Sequence, residues 1–185
     1  MIRKLTMPEL QRADVEKFHL QKKMPVVLVL DNIRSAHNAG SIFRTADAFA
    51  VEKIYLCGIT AVPPNRELLK TSLGAEKSMN WEFHKNSYDC IIRLKKENYR
   101  LVAVEQAAPR QSLYTFKPSK EKIAFIFGNE VSGISDSILE QVEEAVEIPQ
   151  FGTKHSFNVA TTVGIILWDY YSKTIAQAFM PGITE

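Results

Sequence analysis

The feature of this sequence that most constrains its fold is a series of short apolar runs separated by helix-like segments. The first run, residues 26–30, follows Pro25 and ends at Asp31. A run without alternating polar residues indicates a strand covered on both faces, as in a parallel sheet. Similar runs predict further strands at 53–57, 81–84, 101–104, 123–127 and 145–148. We therefore predict an α/β domain with a six-stranded, mostly parallel sheet and helices on both faces.

Helical patterns lie at both ends of this series. The stretch from Thr6 to Glu9 has a capping-box pattern and predicts a short helix to about His19, within an amphipathic prefix of residues 1–24. A second, longer amphipathic helix is predicted from Asn158 to about Ala178. Its apolar stripe consists of Val159, Val163, Ile166 and Tyr170. Because the length suits one domain of ordinary size, we assign residues 25–185 to a single domain.

The composition is that of a globular protein and narrows the possible partners. Hydrophobic residues make up 45% of the chain. The net charge of +2 neither requires nor excludes a nucleic-acid partner, so any phosphate-binding surface must be local. No apolar run approaches the ~20 residues needed to span a membrane, and the start of the chain lacks a signal-peptide core. We therefore expect a cytoplasmic protein without a membrane partner. Cys57 and Cys90 have no CxxC spacing, which predicts buried free thiols.

Common cofactor and metal patterns are absent from the sequence. The glycines never form GxG, and no GxxxxGK[ST] loop is present for a nucleoside triphosphate. The histidines are scattered without metal-ligand spacing, so we predict no metal site. His155 and Ser156 are adjacent, which does not make a catalytic triad, and no GxSxG elbow is present. Function must then come from polar residues at the carboxyl ends of strands, where open α/β sheets bind ligands.

Three polar clusters follow predicted strands. The first, residues 31–45, contains Asn38, Gly40 and Arg44. For this cluster alone, a structural explanation, with Asn38 as a helix N-cap and Arg44 paired with Asp47, is as good as a functional one. The second, residues 123–133, is a buried strand that runs into a loop bracketed by glycines around Glu130. The third, residues 148–162, has more polar groups than the N-cap of the following helix requires. Together the clusters favour a binding site over three separate structural turns.

In order and spacing, the clusters resemble the three motifs of the SpoU-like branch of the SPOUT RNA methyltransferases. The first motif, N-x-G-x-x-x-R, is matched by Asn38, Gly40 and Arg44. The second, G-x-E-x-x-G, is matched by Gly128, Glu130 and Gly133, and the third, I-P followed by S-x-N-V, by Ile148, Pro149, Ser156, Asn158 and Val159. The resemblance covers roughly residues 25 to 175. The chain departs from the family at Ala36, Gln150 and Phe157, where Pro, Met and Leu are usual, which affects pocket shape more than chemistry.

The resemblance implies a fold and a reaction that the patterns alone do not give. It implies a C-terminal deep trefoil knot, a rare exception among folds, and a homodimer, for which the apolar stripe of the terminal helix is a candidate face. It also implies methyl transfer from S-adenosylmethionine to a ribose 2′-hydroxyl of tRNA or rRNA. By analogy, Gly128, Ile148 and Phe157 surround the adenosine of the methyl donor.

The resemblance also assigns catalytic roles. Arg44 is expected to clamp an RNA phosphate and stabilise developing alkoxide charge, because a guanidinium resists deprotonation. The residues expected to orient Arg44, ribose and phosphate are Asn38, Glu130, Ser156 and Asn158. Candidate phosphate contacts in the prefix, which are also explained as solvated charges, are Arg3, Lys4, Lys17, Lys22 and Lys23. Three alternatives stay open: a knotted RNA base methyltransferase, a catalytically inactive RNA-binding relative, and a flavodoxin-like ligand-binding domain.

Overall fold

The structure, a computed structural model, describes residues 2–6, 8–10, 12–118 and 121–174. Its strands are β1 Met24–Asp31, β2 Val51–Cys57, β3 Trp81–His84, β4 Arg100–Val104, β5 Gln111–Ser112, β6 Ile123–Phe127 and β7 Glu144–Glu147. Its helices are α1 Val15–Leu20, α2 Ala36–Ala48, α3 Arg66–Ser72, α4 Ala75–Ser78, α5 Ser87–Lys96, α6 Asp136–Leu139 and α7 Val159–Thr174. Within the described ranges the strands form one seven-stranded sheet in the order β3-β2-β1-β6-β4-β7-β5. In this sheet, as far as the described residues show, neighbouring strands pair in parallel.

The α/β fold with a parallel sheet is therefore confirmed, and all the predicted strands are present. The strand count was wrong by one. The additional strand, β5, has only two residues, Gln111 and Ser112, and pairs with β7 at the edge of the sheet. A strand this short and polar produces no apolar run in the sequence, so the pattern cannot reveal it.

Helices cover both faces of the sheet, as the apolar runs predicted. On β1, Val26, Leu28 and Leu30 belong to a core shared with α2 and α7. Val27 and Val29, which point to the other face, belong to a second core shared with α5 and α6. Because both faces of β1 are buried, its sequence has no polar alternation. Among the described residues, no helix has both the length and the apolar character needed to cross a bilayer.

The first predicted helix is wrong in its extent. Glu9 does accept the capping bond from the Thr6 backbone nitrogen, at 2.7 Å, but Pro8–Leu10 forms only a 3-10 turn. The α-helix α1 begins at Val15, because Asp14 provides a second N-cap by accepting a hydrogen bond from the Lys17 nitrogen.

The terminal helix is present, and its apolar stripe packs inside the molecule. The four stripe residues are 8% exposed or less: Val159, Val163, Ile166 and Tyr170. They lie against the β1 and β6 side of the sheet, in the same core as α2. The part of the predicted helix beyond Thr174 lies outside the described residues. The trefoil knot concerns the threading of the chain rather than strand order, and it stays a prediction.

Candidate functional site

The carboxyl ends of β6, β4 and β7 open into a space of about 650 Å³, which we call the main cleft. Its walls are the loop after β6, the connection from β7 to α7, and residues 105–106 after β4. The second and third sequence clusters thus meet at one site, because neighbouring parallel strands end at the same edge of the sheet. Gly128, Ile148 and Phe157, the predicted donor-binding residues, all line this cleft.

Asn129 holds the loop after β6 in shape. Its backbone exchanges hydrogen bonds with Gly133, at 3.0 and 2.9 Å, and its Oδ1 accepts hydrogen bonds from the nitrogens of Val131 and Ser132. Its Nδ2 donates to the backbone oxygen of Asn32, at 2.8 Å, and so ties the loop to the end of β1. Asn129 lies in the second cluster, but its sequence context alone predicted no role for it.

The two glycines of this loop are required by close packing. A Cβ on Gly128 would lie 2.3 Å from the Ile134 nitrogen. Gly133 has a φ of +69°, and its Cβ would lie 2.6 Å from Oε2 of Glu105. The Glu105 carboxylate occupies that space and accepts hydrogen bonds from the nitrogens of Ile134, at 3.1 Å, and Gln106, at 2.9 Å. The loop is therefore fixed to the end of β4 as well as to β1.

Glu105 and Gln106 were both missed by sequence analysis, although they line the main cleft. Nε2 of Gln106 donates to the backbone oxygen of His155, at 2.9 Å, which connects β4 to the third cluster. The signal was available, since both are polar residues directly after a buried strand. The segment of Glu105 and Gln106 was overlooked because it contains no glycine and matches none of the three motifs.

Side chains from the three motifs form one chain of hydrogen bonds, which we call the motif network. Glu130 Oε1 accepts a hydrogen bond from Nδ2 of Asn38, at 3.0 Å. Oδ1 of Asn38 in turn accepts a hydrogen bond from Nδ2 of Asn158, at 3.0 Å. Glu130 also accepts from the backbone nitrogens of Arg34, at 2.9 Å, and Ser35, at 3.2 Å. Three of the five predicted catalytic residues are thereby brought together.

The N-caps of α2 and α7 show which of the two asparagines, Asn38 or Asn158, caps a helix. The cap of α2 is Ser35, whose hydroxyl accepts a hydrogen bond from the Asn38 nitrogen, so Asn38 itself is not the cap. Asn158 does cap α7, because its Oδ1 accepts a hydrogen bond from the Ala160 nitrogen at 2.9 Å. Its Nδ2 remains available for the bond to Asn38, so Asn158 acts both as a cap and in the motif network.

Ser156 and Phe157 lie at the mouth of the main cleft. Both residues are exposed, Phe157 to 41%. Within the described chain, the Ser156 hydroxyl makes no hydrogen bond, although the residue lines the cleft. The hydroxyl is therefore available to a bound molecule, as a donor or as an acceptor.

Arg44 lies on α2, exposed, six positions after Asn38, and it is not among the residues that line the main cleft. Its alternative structural role is not realised: no ion pair joins Arg44 to Asp47 in the described part of the chain. Asp47 instead accepts a hydrogen bond from the Ser78 hydroxyl. Gly40, which lies between Asn38 and Arg44 in sequence, lets α2 approach α3, since its Cβ would lie 2.2 Å from the Leu68 backbone oxygen.

The Glu130 carboxylate is held in its charged form by its hydrogen bonds. Partial burial raises its pKa, but the bonds from the Arg34 amide, the Asn38 side chain and the Ser35 amide lower it by more. The net pKa of Glu130 therefore lies below its usual value. A charged carboxylate at the N-terminus of α2 is also favoured by the helix dipole.

The basic residues of the prefix are mostly engaged locally. Arg3 pairs with Glu9, at 2.6 Å, and Lys17 with Asp14, at 3.6 Å. The Lys23 ammonium donates to the Phe18 backbone oxygen and lies over the Phe18 ring. These contacts favour a local role for the three side chains over binding to an RNA phosphate. Cys57 and Cys90 are buried free thiols, as predicted.

Comparison with known proteins gives consistent matches. Residues 25–168 match the model of the SpoU rRNA Methylase family. A Borreliella burgdorferi protein named as an uncharacterized tRNA/rRNA methyltransferase is 30% identical over 149 residues, which is 80% of this chain and 64% of that protein. The 23S rRNA (guanosine(2553)-2′-O)-methyltransferase RlmP of Bacillus subtilis is 29% identical, over 77% of this chain and 56% of that protein. This chain thus spans less than two thirds of the length of these relatives.

The fold matches as well. The crystal structure of an AdoMet-bound rRNA methyltransferase from Sinorhizobium meliloti superimposes with a TM-score of 0.76 and 26% identity. That match covers 83% of this chain and 58% of the other. The family model covers well over half of the sequence and includes all three motifs of the site. This chain therefore belongs to the SpoU rRNA Methylase family.

Proposed function

We propose that this protein is an enzyme that transfers a methyl group from S-adenosylmethionine to a ribose 2′-hydroxyl of tRNA or rRNA. The observation that carries the proposal is the motif network, in which Glu130, Asn38 and Asn158 join the three family motifs beside one cleft. The reaction class follows from the relatives: the Bacillus subtilis protein is named a 2′-O-methyltransferase, and the Sinorhizobium meliloti structure contains AdoMet.

The main cleft fits the methyl donor in size and in chemistry. Its volume of about 650 Å³ lies within the ~300–1,000 Å³ typical of small-molecule sites. Gly128 lines the cleft and can offer only backbone groups to a ligand, while Ile148 and Phe157 provide apolar contact for an adenine ring. When bound, the donor supplies an electrophilic methyl carbon on a sulfonium. These three residues would hold it, together with polar backbone groups of the two loops.

Arg44 is proposed to act on the RNA side of the reaction. A ribose hydroxyl is a poor nucleophile, so the site must position its oxygen and stabilise the charge that develops as its proton leaves. The planar guanidinium of Arg44 would hold an adjacent phosphate through paired N–H donors. Its exposure and its lack of a partner among the described residues leave these donors free for RNA. The phosphate or solvent would take the proton, since a guanidinium stays protonated in proteins.

The motif network is proposed to place Arg44 relative to the cleft. Glu130 binds two backbone nitrogens and one side chain at the start of α2, and so fixes the helix on which Arg44 lies. Asn158 fixes the start of α7 against Asn38. Ser156, with its free hydroxyl at the cleft mouth, is positioned to bond the ribose or the phosphate.

We also propose a cytoplasmic homodimer that uses no metal. The apolar stripe of α7, which the sequence suggested as the dimer face, is unavailable because it is buried in the core. Another part of α7 supports the proposal instead. Trp168 is 61% exposed and packs against Tyr171, with ring centroids 5.8 Å apart. Tyr171 itself is partly buried and packs against the core, and an exposed tryptophan supported in this way is typical of the centre of a protein interface.

The test is incubation of the purified protein with labelled S-adenosylmethionine and total RNA, followed by mapping of the labelled nucleotide. We expect label on a ribose 2′-oxygen, and equal transfer after treatment with a chelator. Label on a base would favour the base methyltransferase, and binding of RNA without transfer would favour the inactive relative. Activity lost on chelation and restored by a metal would refute the metal-free mechanism.

A further inference from the structure

A second pocket, of about 480 Å³, opens at the same edge of the sheet over the ends of β1, β2 and β3. We call it the Asp31 pocket. Its volume also lies in the ~300–1,000 Å³ range of small-molecule sites. Asn32 lines this pocket, and its backbone oxygen accepts the bond from Asn129, which lines the main cleft. The two sites are therefore neighbours, yet none of the three motifs and no step of the proposed mechanism uses the second.

The Asp31 pocket contains a buried carboxylate that is only partly satisfied. Asp31 is 2% exposed, and its Oδ1 accepts hydrogen bonds from the Ser87 hydroxyl and from Nδ2 of Asn32, at 2.7 Å. Within the part of the chain that the structure describes, its Oδ2 has no hydrogen-bond partner, and no cation pairs with it. Among the described residues, Oδ2 is not one of the fully buried side-chain atoms that lack a partner, so this oxygen is open to the pocket. A carboxylate as enclosed as Asp31 is more favourable when its oxygens are hydrogen-bonded or paired. A ligand that donates to Oδ2 would complete this set.

The rim of the pocket carries two groups of different chemistry. Tyr88 lines it and is 39% exposed, and among the described residues its ring packs against no other ring. Lys85 also lines it, is exposed, and has no ion-pair partner in the described ranges. An open aromatic ring offers a stacking surface, and a free ammonium binds phosphate. The pocket thus combines a deep acceptor, a stacking surface and a cation at its edge.

This combination discriminates among ligand classes. A free phosphate is disfavoured because two carboxylates, Asp31 and Asp89, line the pocket. A magnesium or calcium ion takes about six or more oxygen ligands, whereas no group of three or more His, Cys, Asp or Glu side chains that could hold a metal ion is found among the described residues. A nucleotide satisfies every group, since each base has an N–H donor and a face that stacks, and its phosphate lies a few ångströms away.

We propose that the Asp31 pocket binds a nucleotide of the RNA substrate, with a base N–H donated to Asp31, the base against Tyr88 and the phosphate near Lys85. The identification of RNA as the source of this nucleotide rests on the proposed function. The identification of a nucleotide as the ligand rests only on the chemistry of the pocket. The pocket lies beside the main cleft at one edge of the sheet, so a single RNA strand would contact both. Such a contact gives this small chain a means of selecting its substrate.

The test uses the four ribonucleoside 5′-monophosphates as probes, titrated into the intact protein and followed by ligand-observed NMR. Saturating S-adenosylmethionine is present throughout, so that any nucleotide in the main cleft is displaced. We expect at least one monophosphate to bind and inorganic phosphate not to compete. Tyr88→Leu should weaken binding by roughly fivefold or more, and Lys85→Ala should weaken it at low salt.

Matched variants separate the pocket from general surface effects. Tyr114→Leu removes a tyrosine that is 87% exposed elsewhere, and Lys96→Ala removes an exposed lysine at the other end of α5; both should bind like the wild type. Asp31→Asn should abolish binding, with melting measured in parallel because Asp31 also bonds Ser87. The proposal is overturned if no monophosphate binds at millimolar concentration, or if Tyr88→Leu and Lys85→Ala bind as tightly as the controls.

Failure of this inference is distinguishable from failure of the proposed function. If the wild type methylates RNA but binds no monophosphate, the Asp31 pocket is not a nucleotide site and the methyltransferase proposal stands. If monophosphates bind as expected and no methyl transfer occurs with any RNA, the pocket proposal stands and the enzymatic one fails.

Discussion

The most informative single change is Arg44→Ala, because the catalytic and structural readings of Arg44 predict different results. In the structure Arg44 is exposed on α2, and within the described residues it makes neither an ion pair nor a hydrogen bond. Its removal therefore breaks no ion pair and no hydrogen bond among the described residues. Alanine is also at least as favourable as arginine inside a helix.

The expected magnitudes follow from this environment. An exposed residue without partners changes the free energy of unfolding by about 0.5 kcal/mol or less. For a domain of this size, that corresponds to a melting temperature within about 2 °C of the wild type. Loss of a group that stabilises transition-state charge lowers the rate on the order of 10²-fold or more, which equals about 2.7 kcal/mol of barrier. The two readouts should therefore differ widely in one variant.

The assay compares melting, donor binding by calorimetry, and methyl transfer at saturating RNA. Arg44→Ala should melt and bind S-adenosylmethionine like the wild type and transfer almost no methyl. Arg44→Lys should also fail, since an ammonium keeps the charge but lacks the planar fork. Arg66→Ala is the matched control, because it removes an exposed arginine from the neighbouring helix α3. Near-wild-type transfer by either Arg44 variant would refute the proposed mechanism.

Three further predictions concern the motif network and the dimer. The hydrogen bonds of Glu130 lower its pKa in the folded protein, so its carboxylate stabilises the fold. This contribution is fully present above the pKa of the unfolded state, about 4.3. It is lost as the pH falls through the lower pKa of the folded state. Thermal melts of wild type and Glu130→Gln should thus differ at pH 7 and converge in acid; a constant difference would contradict this. Asn158→Ala should lower the free energy of unfolding by about 1 kcal/mol through the lost cap, whereas Asn158→Ser should recover that stability but not methyl transfer, measured by urea unfolding and by the RNA assay. Trp168→Glu should shift light scattering from dimer to monomer, and an unchanged mass would exclude this face.

The fold was largely predictable because its signals are local. The run from Val26 to Val29 indicates a strand buried on both faces, whatever the rest of the chain does. The same reasoning failed where local signals compete or vanish. Asp14 restarts a helix that the pattern from Thr6 had extended without a break, and the short strand at Gln111 depends wholly on its pairing with β7.

The site was predictable in its residues but not in its connections. The motif resemblance selected Asn38, Glu130 and Asn158, yet nothing in the sequence indicates that they bond to one another across separations of 92 and 120 residues. The role of Asn129 and the support from Glu105 are likewise tertiary facts. A loop that bonds to the ends of two other strands acquires its shape only after the sheet has formed.

The position of the motif network at the surface indicates what it is for. Its members Glu130, Asn38 and Asn158 are exposed or only partly buried, and a hydrogen bond of this kind contributes on the order of 0.5–1.5 kcal/mol to folding. The buried apolar faces of β1 and α7 contribute far more, since each fully buried large apolar side chain adds about 1.5–3 kcal/mol. The network therefore contributes the smaller share of the stability of the fold. Its hydrogen bonds hold the starts of α2 and α7 beside the main cleft, and under the proposed function this is the placement that in-line transfer to a ribose oxygen would require.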